Sequence, residues 1–86
     1  LDEIQKIWYD KIEYLLGGFV LISYKPFQKL LIDRGIKKQD LIKIAGISWG
    51  TMARLNTNQY VSLEVIDKLC VALDCQPGDL IEFIKK

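Results

Sequence analysis

Residues 37–56 read KKQDLIKIAGISWGTMARLN, and the fold is decided here. Leu41, Ile42 and Ile44 supply the apolar positions of a short helix from about Lys38 to Ala45, which Gly46 terminates. Ser48 is a favoured helix N-cap, so a second helix is expected from it to about Leu55. Only Ala45-Gly46-Ile47-Ser48 connects the two. A reversal that sharp needs positive φ, which glycine adopts without steric cost. Ala45 is small enough to let the helices approach, and Ile47 is expected to plug the core between them. Met52 and Leu55 fall at core positions. The pattern is a helix-turn-helix.

Outward from this unit, Pro26 fits the first turn of a preceding helix, with Phe27, Leu30, Leu31 and Arg34 at helical spacing and Gly35 as its αL cap. Before it, residues 19–24 are β-branched and aromatic, so they read as extended or strand-like. After it, residues 56–59 form a polar turn, since Asn tolerates αL backbone. Ser62 caps a helix over Leu63 to Leu73, with Val65, Ile66, Leu69, Cys70 and Leu73 facing inward. Residues 76–79 form a turn, and Leu80 to Ile84 is expected to close the chain as a further helical turn or two. Residues 1–16 carry apolar side chains at 1, 4, 7, 8, 12, 15 and 16, a helical stripe ended by Gly17-Gly18. The expectation is an all-α domain: five short helices over residues 21–86 plus an N-terminal amphipathic helix and Gly-Gly linker over 1–20.

Composition narrows the function. Eighty-six residues, 50% of them hydrophobic, suit one small domain. No apolar run reaches the ~18 residues of a membrane span. With no histidine and two cysteines, most zinc sites and all Ser-His and Cys-His nucleophile systems are excluded, and no residue set offers base plus nucleophile. Asp33, Asp40, Asp67, Asp74 and Asp79 lack metal-loop spacing and read as caps or solvated charges. No cofactor, metal, small-molecule ligand or enzymatic activity is expected. Cys70 and Cys75 lie five apart in a helix followed by a turn, rotated by more than a quarter-turn, so a disulfide needs the chain to bend sharply between them. They read as two reduced core thiols of a cytoplasmic protein, the alternative being a structural or redox-sensing bridge. The net charge of +1 conceals −2 over residues 1–20 and +3 over residues 21–86, mildly basic and compatible with nucleic acid. The helix after Ser48 has no acid, as a helix entering a DNA groove between phosphates requires.

The stretches Leu30 to Leu41, Ala45 to Ser48 and Thr51 to Leu55 resemble the Cro/C1-type (Xre family) helix-turn-helix domain of repressors. Ser62 to Cys75, with Gly78-Asp79-Leu80, is similar to that family's fourth and fifth helices. Ile22-Ser23-Tyr24-Lys25-Pro26 resembles a short single-domain subgroup. The resemblance implies a five-helix lambda-repressor-like fold. It also implies sequence-specific binding of double-stranded DNA as a cytoplasmic transcriptional regulator, repressor-like and acting as a homodimer. Lys37, Lys38 and Gln39 would then hold a phosphate at a helix start. Ser48, Trp49, Gly50, Thr51 and Arg54 match the recognition helix, about Ser48–Asn56, that lies in the major groove, with Arg54 suited to a guanine or a phosphate. Asn56, Asn58, Gln59 and Tyr60 match the loop that touches sugar-phosphate.

Three departures stand beside this. Lys38 replaces a common Gln, Trp49 replaces a polar reader, and Gly50 weakens the helix by about 1 kcal/mol relative to Ala. Trp49 has three readings: contact with thymine methyls or sugar, contact with a protein, or packing on the preceding helix. Arg54 is either a DNA contact or an ordinary solvated or ion-paired residue. The competing function is a protein–protein interaction module, antitoxin or anti-repressor-like, that keeps the fold without reading bases. Residues 1–20 also have two readings. Leu16-Gly17-Gly18 suits the codons of a ribosome-binding run and Leu21 a TTG start, which would make the segment upstream translation. Alternatively, its stripe is a dimerisation or docking helix.

Overall fold

Pro26 stands at the start of α1 (Lys25–Arg34), where its missing N–H leaves no helical bond unmade. This is a computed structural model that describes residues 21–84; the expected helix over 1–16 and its linker lie outside the described residues. Gly35, at φ 65°, closes α1, and the next amide, of Ile36, donates to the Leu31 carbonyl at 2.9 Å. The helix α2 (Lys38–Ala45) ends on Gly46 at φ 70°. The helix α3 (Trp49–Asn56) begins at its Ser48 cap, and α4 (Leu63–Leu73) at its Ser62 cap. Each serine hydroxyl accepts the backbone N–H three residues on, from Thr51 at 3.1 Å and Val65 at 3.3 Å. These boundaries agree with the sequence expectation to within a residue.

One core serves all four helices. Phe27 and Leu31 of α1, Leu41 of α2, Met52 and Leu55 of α3, and Ile66, Leu69 and Leu73 of α4 are buried together. Ile47 joins them from the tight connection, wedged between α2 and α3 as its position requires. Val65 and Cys70 pack against this core from its margin, while Ile44 of α2 faces solvent. No helix of the described residues is long and apolar enough to cross a membrane.

The C-terminal segment corrects the expectation. Instead of a fifth helix, the chain makes one 3-10 turn at Pro77–Asp79 and then a short strand, β2 (Glu82–Phe83), antiparallel to β1 (Ile22–Ser23). Ile22 pairs with Phe83 and Ser23 with Glu82. The Ile84 amide donates to the Leu21 carbonyl at 2.7 Å, and Leu80 is fully buried with its carbonyl accepting the Phe27 amide at 3.2 Å. A five-residue helix cannot recover its nucleation cost, whereas the strand before α1 offers unpaired backbone groups. The described residues thus form a small helical domain of four α-helices, its two ends tied by a two-stranded ribbon.

The cysteines are free thiols, as the sequence reading expects, and the chain bends sharply between them. The five-residue spacing separates them only on a continuous helix. Asp74 adopts φ 49° at the end of α4, and the chain doubles back so that the Cys75 amide donates to the Cys70 carbonyl at 3.1 Å. Both are free thiols, partly buried, and burial pushes the Cys75 thiol up, with Cys70 beside it adding to the shift.

Candidate nucleic-acid interface

In α3 the buried and exposed sides separate cleanly. Met52 and Leu55 face the core at 1% and 0% exposure, while Trp49, Gly50, Ala53, Arg54 and Asn56 are exposed. Trp49, Ala53 and Asn56 recur at helical spacing along one line, and Gly50 and Arg54 along the next. Trp49 is 63% exposed, so most of its indole is open to a partner. Gly50 and Ala53 have no long side chain, so the backbone of this face can come close to whatever it meets. A Cβ built on Gly50 would touch only the Ser48 hydroxyl, at 3.7 Å, so packing within the domain does not require glycine there.

The one charged side chain of α3 is Arg54. Among the described residues the one ion pair is Lys68–Glu64, within α4 at 3.4 Å, so Arg54, Lys37 and Lys38 have no carboxylate partner there. The α3 sequence contains no acid. The Ser48 hydroxyl uses the Thr51 amide and also lies 3.0 Å from the Thr51 hydroxyl, which locks the first turn. The amides of Trp49 and Gly50 precede the first intrahelical donor.

The start of α2 differs. Lys37 occupies the cap position, contributes no side-chain cap, and is exposed together with Lys38 and Gln39. The first amides of α2 have no side-chain cap and are flanked by the Lys37 and Lys38 ammonium groups, with the exposed Asp40 carboxylate in the same turn. Lys37, Lys38 and Gln39 sit at the end of α2 away from the turn, whereas Ser48, Trp49, Gly50, Thr51, Arg54 and Asn56 share α3 and its cap.

The loop after α3 divides the remaining candidates. Thr57 closes the helix, its hydroxyl donating to the Ala53 carbonyl at 2.9 Å, and the Gln59 amide donates to the Arg54 carbonyl at 2.9 Å. Asn58, at φ 55°, accepts the Tyr24 amide on its Oδ1 at 3.0 Å. The Gln59 side chain donates to the Thr57 hydroxyl at 3.0 Å, and the Gln59 backbone carbonyl accepts the Tyr24 hydroxyl at 2.7 Å. Asn58 and Gln59 are thereby engaged in holding the loop to the residues before α1. Asn56, Gln59 and Tyr60 are exposed and Asn58 is half-buried. Asn58's left-handed backbone was readable in its residue type; its long-range acceptor role had no local signal.

Comparisons with known proteins give the family of the fold. A family model described as the Cro/C1-type HTH DNA-binding domain matches residues 27–86. The solved crystal structure of the transcriptional regulator VanUg is similar to this chain with a TM-score of 0.71 at 43% identity, covering 76% of this chain and 87% of that one. No curated protein shows a significant match.

Proposed function

The chain belongs to the Cro/C1-type helix-turn-helix DNA-binding family, and from that premise we propose that it is a sequence-specific, repressor-like transcriptional regulator of double-stranded DNA. The observation that carries the proposal is the acid-free outer face of α3, with Trp49 and Arg54 exposed beside the small residues Gly50 and Ala53. This face enters the major groove. Arg54 reaches a guanine edge or clamps a phosphate, and Trp49 lies on thymine methyls or sugar. Lys37, Lys38, Gln39 and the uncapped start of α2 hold a phosphate, while Asn56 and Tyr60 touch the backbone after α3. Two copies on a two-fold related operator give the second half-site. The role is non-catalytic and cytoplasmic. The similarity to a transcriptional regulator supports the regulatory reading.

The test is an anisotropy titration with duplexes from the region upstream of its own gene and with scrambled duplexes, each at two salt concentrations. The expected result is a preferred duplex bound at least ~10³-fold more tightly than scrambled DNA, with affinity falling steeply as salt rises. Equal affinity for all duplexes, or none at low salt, overturns the proposal. The exposed Trp49 next to Gly50 favours one second reading: a protein-interaction module in which the same face meets a polypeptide. Absence of duplex binding by a folded chain would be its signature.

A further inference from the structure

We propose that Cys70 and Cys75 form a vicinal dithiol that exchanges with small-molecule disulfides, closing an intrachain disulfide across the end of α4. The argument begins with Asp74. Its left-handed backbone lets the amides of both Asp74 and Cys75 converge on the Cys70 carbonyl. In this helix ending, the residues at the two Cys positions commonly bring their side chains into contact. Two Cα atoms bridged by one N–H···O=C bond are about 5–6 Å apart, inside the span a disulfide requires. The Cys70 thiol is close enough to the Cys75 thiol to raise its pKa. What would ordinarily be an apolar contact at the end of a helix is here two sulfurs.

The site is reachable and held in place. Both cysteines are partly exposed, and their neighbours Val71 and Asp74 are open to solvent. Leu73 is fixed in the core, and its carbonyl accepts the Arg34 guanidinium. Closure therefore needs no movement of α4 against α1. One thiolate attacks a small disulfide RSSR, forming the protein–S–SR bond and releasing RS⁻. The second thiolate attacks the protein sulfur, closing the ring and releasing a second RS⁻. The chain loses two electrons and two protons, and RSSR becomes two RSH. Neither sulfur lies on α3, so the exchange is independent of the DNA-binding proposal.

The test equilibrates the full chain in buffers of reduced and oxidised glutathione, quenches with acid and iodoacetamide, and reads intact mass and peptide maps. The expected product is a monomer lighter by two hydrogens, unalkylated at Cys70 and Cys75. Cys70→Ser and Cys75→Ser should each stop at the mixed disulfide with glutathione. The same equilibration in urea should show a disulfide-to-dithiol ratio lower by roughly tenfold or more, because the unfolded chain no longer holds the sulfurs together. Two alkylated thiols at potentials that oxidise ordinary dithiols, a stable mixed disulfide in the unsubstituted chain, or an unchanged ratio in urea would each overturn the proposal.

Discussion

Arg54 and Gly50 lie one helical turn apart on the exposed side of α3, and each carries a separate expectation. Arg54 has no carboxylate partner among the described residues, and Lys38 stands at an uncapped helix start. Removing both charges by Arg54→Ala with Lys38→Ala should weaken duplex binding by more than about tenfold, at ~1–3 kcal/mol per good contact. Circular dichroism and the thermal midpoint should hardly change, since neither side chain is in the core. Full affinity in the double variant would show that the assigned face is wrong. For Gly50→Ala the domain has room, because the added methyl meets only the Ser48 hydroxyl. Chemical denaturation should show stabilisation by up to about 1 kcal/mol. If the same variant loses DNA affinity, the glycine serves close backbone approach rather than folding.

At the level of the element, the caps made most boundaries legible. Gly35, Gly46, Ser48 and Ser62 each act through bonds to residues within five positions, so a reader of the sequence meets donor and acceptor together. The exception is the C-terminal segment, whose partner lies some sixty residues earlier. Glu82-Phe83 has the composition of either a weak helix or a short strand, and the free edge at Ile22–Ser23 decides. The ribbon predicts a specific weakness: Ile84→Pro deletes the amide that the Leu21 carbonyl accepts. It should cost about 1–3 kcal/mol in urea unfolding while leaving helical content nearly intact. No loss of stability would mean the ribbon contributes nothing to the fold.

Across the whole molecule, Tyr24 is the point where the two halves of the domain are fastened. It is 2% exposed, its amide donates to Asn58 and its hydroxyl to the Gln59 carbonyl. Asn58→Ala removes the acceptor and puts alanine, which tolerates left-handed backbone less well than asparagine, at φ 55°, so a loss of about 2 kcal/mol is expected in thermal or urea unfolding. Asn58→Gly should recover the backbone part of that loss and leave the missing acceptor, so the two variants separate the contributions. Burial raises the Tyr24 phenol above its ordinary 10.0. The folded state therefore holds this proton more tightly than the unfolded chain. Its stabilising contribution is complete below about pH 10 and is lost as pH rises through the folded value. Thermal midpoints measured from pH 9 to 11 should fall more steeply for the unsubstituted chain than for Tyr24→Phe.

The same division separates what could be read from residue order and what could not. Helix starts and stops, the tight Gly46 reversal and the core positions of Met52, Leu55 and Ile47 were legible, because capping bonds and helical periodicity act over a few residues. So was the acid-free outer face of α3, since which side faces out follows from which side is apolar. The strand at Glu82–Phe83, the engagement of Asn58 by Tyr24 and the meeting of Cys70 with Cys75 were not. The first two join segments far apart in the chain, and the third follows from one left-handed residue at Asp74. The long-range pairings become favourable only when the shared core has brought the backbone groups together, and no local pattern records that; the third is local, but Asp74 tolerates the left-handed conformation without demanding it.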